Sequence, residues 1–133
     1  MRQSPAPTTV WIVDDDLGFV WWLGEIFTDA GCRALPALSC DHAISLVKRL
    51  NLSVDLLVVN PQLVGVSGML QAISHAHPSF KVAVIGMAPE GLNYAFHPLA
   101  ILERPSGWDS LSRHEWMKRV RNLLKEIVAS TPV

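Results

Sequence analysis

The sequence predicts a three-layer α/β domain in which a five-stranded parallel sheet lies between two layers of helices. Short β-branched apolar runs alternate along the chain with segments of helical spacing, the pattern of repeated βαβ units. The central run, Leu56-Leu57-Val58-Val59, is apolar without alternation, as a strand buried on both faces should be. Half of the 133 residues are apolar and 17% are charged, which suits one compact domain with a real core.

Thr9 to Val13 is β-branched and aromatic and empties into Asp14-Asp15-Asp16. That reads as a first strand followed by an acidic loop. From Leu17 to Ala30, apolar residues at Phe19, Trp22, Leu23, Ile26 and Ala30 mark a helix face. Asp16 is placed to cap it and Gly31 to end it in a left-handed turn. Arg33 to Leu38 is a weaker strand, pushed towards the sheet edge by Pro36. Ser39 to His42 opens a second helix with Ala43, Leu46, Val47 and Leu50 on one side. The central strand then stops at Asn60-Pro61, because proline has no N–H to continue a ladder.

Gly65 to Gly68 leads into a third helix through Met69, Leu70 and Ile73, closed before Pro78. Lys81 to Ile85 is the fourth strand and Ala100 to Glu103 the fifth. Between them Pro89, Gly91 and Pro98 leave room for one or two helical turns. In the last helix Ser112 and Glu115 have capping-box spacing, and Trp116, Val120, Leu123, Leu124 and Ile127 form the apolar stripe. The domain is expected over residues 8–129, with a frayed lead-in at 1–7 and a short tail at 130–133.

Right-handed crossovers bring all the strand ends to one edge. Asp14 and Asp15, Asn60, Gly86 and Arg104 meet there, where ligands bind in open α/β sheets. This constellation, with the Asn60 to Gly68 loop spacing, resembles a response regulator receiver domain over about residues 8 to 129. The resemblance implies a flavodoxin-like fold, strand order 2-1-3-4-5, and a role in two-component or phosphorelay signalling. In that family an aspartate at the position of Asn60 takes a phosphoryl group and the acidic pair helps to hold Mg²⁺. A Ser or Thr ends the fourth strand and Lys-Pro follows the fifth.

This chain departs from that pattern at Asn60, at Gly86 and at Arg104-Pro105, and Ile101 falls where the family's switch aromatic would be. The region of the family's fourth helix also reads as degenerate. A carboxamide supplies no anionic nucleophile and weakens a hard-cation site. Arg104 is expected to pair with Asp14 or Asp15 in the space a metal would take. The expectation is a pseudo-receiver without catalysis, cofactor or metal, which binds a kinase, another regulator or itself.

Other readings stay open beside it. A divergent receiver still able to bind Mg²⁺ and accept a phosphoryl group is one, and an unrelated enzyme on the same layout is another. Asp14 to Asp16 also reads as a solvated turn and helix cap, Asn60 as an amide that ties down its loop, and Arg104 as a surface ion-pair partner. His75 and His77 lie two apart and point to different helix faces, and His42, His97 and His114 are isolated.

If Phe19, Trp22, Leu23 and Ile26 face the sheet, then Val20, Trp21, Gly24 and Phe27 look outward. That face is expected to dock a partner or a second copy, giving a dimer. The alternative is that Trp21 lies flat over the last helix or the lead-in.

The net charge of -1, with Lys and Arg dispersed, asks for no nucleic acid. The two cysteines, Cys32 and Cys40, fit no metal spacing and point to a reducing compartment. The start lacks the apolar core of a signal peptide, and no apolar run approaches the roughly 18 residues of a membrane span. A cytoplasmic protein is expected.

Overall fold

The computed structural model describes residues 8–86, 98–103 and 110–130. Five strands, β1 (Thr9–Val13), β2 (Arg33–Ala37), β3 (Leu56–Val59), β4 (Lys81–Ile85) and β5 (Ala100–Leu102), form one parallel sheet in the order β2-β1-β3-β4-β5. Four helices accompany it among the described residues: α1 (Leu17–Asp29), α2 (Cys40–Leu50), α3 (Val66–Ala76) and α4 (Ser110–Ser130). None of them is long and apolar enough to cross a membrane.

Alternation along the strands divides the core into two layers. Val10, Ile12, Leu56, Val58, Ala83 and Ile85 point to one face and meet α1 and α4. Trp11, Val13, Leu57, Val59, Val82 and Val84 point to the other and meet α2 and α3. Both faces are covered, which is why the strands read as unbroken apolar runs. The buried indole of Trp11 keeps a polar partner by donating to the Ser53 carbonyl at 3.2 Å.

Local chemistry sets the helix ends. The Asp16 carboxylate accepts from the Phe19 N–H at 3.2 Å, and the Ser39 hydroxyl from the His42 N–H at 3.0 Å. Gly31 follows α1 with φ 93°, the conformation its lack of a Cβ permits. Pro36 lies on the edge strand, as its missing N–H requires.

Some expectations need correction. Leu50 is exposed rather than packed with Ala43 and Val47, because α2 has reached its last turn there. Ser112 lies inside α4, which already runs from Ser110, so it does not serve as the N-cap. α4 also continues through Ser130, one residue past the expected boundary. The expected lead-in at 1–7 and the degenerate fourth helix within 87–97 lie outside the described residues.

Candidate functional site

The strand ends converge as the topology requires. Val13 pairs with Val59, so the next residues, Asp14 and Asn60, leave the sheet side by side. The Asn60 N–H donates to the Val13 carbonyl at 3.0 Å, and the Asp14 N–H to the Ala37 carbonyl at 3.1 Å. Asp14 is 1% exposed, and one carboxylate oxygen accepts from the Asp16 N–H at 3.0 Å. Asp15 is exposed. The acidic run therefore has divided duties: Asp16 caps α1, Asp14 holds the turn from inside, and Asp15 faces solvent.

Asn60 is half-buried. Its side-chain Oδ1 accepts from the Gln62 N–H at 2.9 Å, and its carbonyl accepts from the Leu63 N–H at 3.2 Å. This is an Asx turn, closed by the amide oxygen. Pro61 is buried behind it, while Val64, further along the same loop, is 95% exposed.

Gly86 closes β4 by donating its N–H to the Leu102 carbonyl at 2.7 Å. Its φ is 86°, in the left-handed region that strains any residue with a Cβ. The absent hydroxyl and the backbone shape thus go together, since Ser or Thr would resist this conformation. Ile101, the position at which the resemblance implies an aromatic, is 58% exposed. Arg104, and with it the expected pairing to Asp14 or Asp15, lies outside the described residues.

The first-helix surface differs from expectation. Val20 and Phe27 do not look outward: they are 1% and 0% exposed and belong to the core with Phe19, Trp22, Leu23 and Ile26. The helix is gripped on two sides, by the sheet and by α4, so its buried arc is wide. Trp116 of α4 meets Phe19 and Trp22 edge-on, with ring centroids at 6.1 and 5.9 Å. Trp21 is 68% exposed as expected, and Leu17, one turn before it, is 63% exposed. Gly24 is half-buried, and a Cβ there would lie 4.0 Å from the Ala34 methyl and from Ile12 Cδ1.

These residues edge a groove of about 460 Å³ between α1 and β2, walled also by Val20, Ala34 and Pro36. At its rim Arg113 of α4 pairs with Asp29 and approaches Glu25 to 3.8 Å. The sequence reading missed Leu17, Ala34 and Pro36. The spacing Leu17, Trp21, Gly24, Thr28 is a helical stripe that carried the signal for the α1 wall.

Among the described residues no three His, Cys, Asp or Glu side chains are grouped to hold a metal ion. Cys32 and Cys40 are free and buried, and burial raises both thiol pKa values, with Asp55 and Asp41 as the respective second causes.

No protein-family model matches the sequence, and no curated protein is significantly similar to it. The fold, however, is that of response regulator receiver domains. A signal receiver domain of an HD domain-containing protein from Pseudomonas fluorescens superposes with a TM-score of 0.70 at 17% identity, over 97% of this chain and 95% of that one. The chemotaxis response regulator CheY4 of Vibrio cholerae gives 0.65 at 15% identity, over 86% and 99%. A response regulator from Thermotoga maritima gives 0.64 at 19% identity, over 90% and 98%.

Proposed function

We propose that this chain is a receiver-fold interaction module of two-component or phosphorelay signalling, acting in the cytoplasm without being phosphorylated. The observation that carries the reading is Asn60, a carboxamide at the end of the central strand, level with Asp14, whose oxygen closes its own loop. Phosphoryl transfer to a side chain needs an ionised oxygen, and an amide offers none.

Two further features support the reading. At Gly86 there is no hydroxyl to draw a phosphoryl group inward, and the left-handed backbone disfavours any residue that would bring one. Mg²⁺ fits the residues poorly. Asp14 already gives an oxygen to the Asp16 N–H, Asp15 faces solvent, and Asn60 replaces a carboxylate with a neutral group. The Asn60 loop is held by the chain's own hydrogen bonds, which supports a binding shape that needs no added group. Its partners on this reading are proteins: a histidine kinase, another regulator or a second copy.

Incubation with a small acyl phosphate and Mg²⁺, followed by intact mass, tests the reading. The expected result is an unchanged mass, with no response of the five tryptophans to beryllofluoride. A covalent phosphoryl adduct on any carboxylate would overturn it in favour of a working, divergent receiver.

A further inference from the structure

We propose that the groove between α1 and β2 is a self-docking surface, in which two copies of this chain exchange Trp21 about a two-fold axis. The proposal deepens the reading of the chain as a binding module by naming its partner. The groove exists because small residues line it. Gly24 has no side chain and β2 offers Ala34 and Pro36 on this face, so α1 leaves the edge of the sheet incompletely covered. Its volume of about 460 Å³ has room for an indole.

The knob and the hole occur on one surface. Trp21 stands three residues before Gly24, one helical turn away, and so do the filling group and the empty notch. A two-fold interface requires this self-complementarity, because the same patch must meet itself. Exposure of 68% leaves roughly 170 Å² of a Trp side chain able to bury up to about 250 Å² in solvent on each copy. With Leu17 at 63% exposure and the groove walls, this forms an apolar centre for the contact.

The rim carries both signs, Glu25 and Asp29 with Arg113, which suits a surface that meets itself better than a ligand of one charge. Addition of a partner strand along β2 is disfavoured, since Pro36 has no N–H to donate.

Sedimentation of the full chain over a concentration series tests the proposal. The expected result is a monomer–dimer equilibrium, weakened roughly thirty-fold or more by Trp21→Glu, as for a central interface tryptophan. Trp21 is exposed, so this variant should keep the wild-type far-ultraviolet spectrum. Gly24→Leu fills the notch and should weaken association too. A mixture of the two variants should associate more tightly than either alone, because the Trp21 of one copy still meets the open groove of the other. A chain that stays monomeric to roughly millimolar concentration overturns the proposal. So does a Trp21→Glu variant that dimerises like the wild type, or a mixture without recovery. A phosphoryl adduct would remove the phosphorylation-independent reading and leave this measurement untouched.

Discussion

Asn60 does a structural task that is separable from its chemistry. Its Oδ1 closes the loop on the Gln62 N–H, and an aspartate oxygen can accept the same bond. Asn60→Ala should therefore cost about 1 kcal/mol, while Asn60→Asp stays close to the wild type, read as urea midpoints at unchanged slope. At Gly86 the backbone decides. Among the described residues no heavy atom lies within 4 Å of an added Cβ, yet φ is 86°. Gly86→Ala should cost about 1–2 kcal/mol through backbone strain, and a neutral substitution would show that the turn relaxes easily. The cysteines predict an alkaline limit. Burial, and after it Asp55 for Cys32 and Asp41 for Cys40, lifts both thiols above their ordinary pKa of 9.0. The folded state thus favours the protonated form. That contribution is intact below pH 9.0 and is lost as the pH rises through it, when unfolded chains ionise first. Melting temperature should fall above pH 9.0, and less steeply in a Cys32→Ala/Cys40→Ala variant. Equal slopes would place the titration elsewhere.

The elements were legible where local chemistry decides them. Asp14 to Asp16 stops β1, Asn60-Pro61 stops β3, and the limits of all the described strands lie within a residue of those the turn signals mark. What stayed hidden depends on non-local packing. The buried residues of α1 from Trp22 round to Val20 span an arc of about 160° at roughly 100° per residue, too wide for one facing layer. Sequence spacing can pick a stripe, but packing against α4 at the Trp22 end and beside β2 at the Val20 end decides how far that stripe extends. Gly86 was readable as a missing hydroxyl, whereas its positive φ was not, because a glycine's conformation leaves no mark in sequence. The α1–α4 contact should be correspondingly costly to lose. Trp116 is 3% exposed and touches two aromatic rings, so Trp116→Ala should destabilise by about 3–5 kcal/mol in denaturant melts. A loss below about 1 kcal/mol would mean that α4 packs more loosely than the buried ring implies.

At the scale of the whole molecule, one thin sheet carries both halves of the core. Successive residues of β1, β3 and β4 feed opposite clusters, so neither layer can lose its strands without depriving the other. A protein built this way should unfold in one step although the described core divides into two apolar clusters. Ile26 on α1 and Ile73 on α3 are both buried and lie on opposite sides of the sheet. Ile26→Val and Ile73→Val should each cost about 0.5–1.5 kcal/mol, the usual penalty for one buried methyl group. They belong to separate clusters of the described core with the sheet between them, so the double variant should lose the sum to within about 0.5 kcal/mol. Fluorescence and circular dichroism should still report the same single transition. Trp11 lies in one cluster and Trp22 and Trp116 in the other, so fluorescence samples both layers. Two resolved transitions, with one substitution moving the first and the other the second, would instead mean that the layers are held independently and that the sheet does not enforce their union.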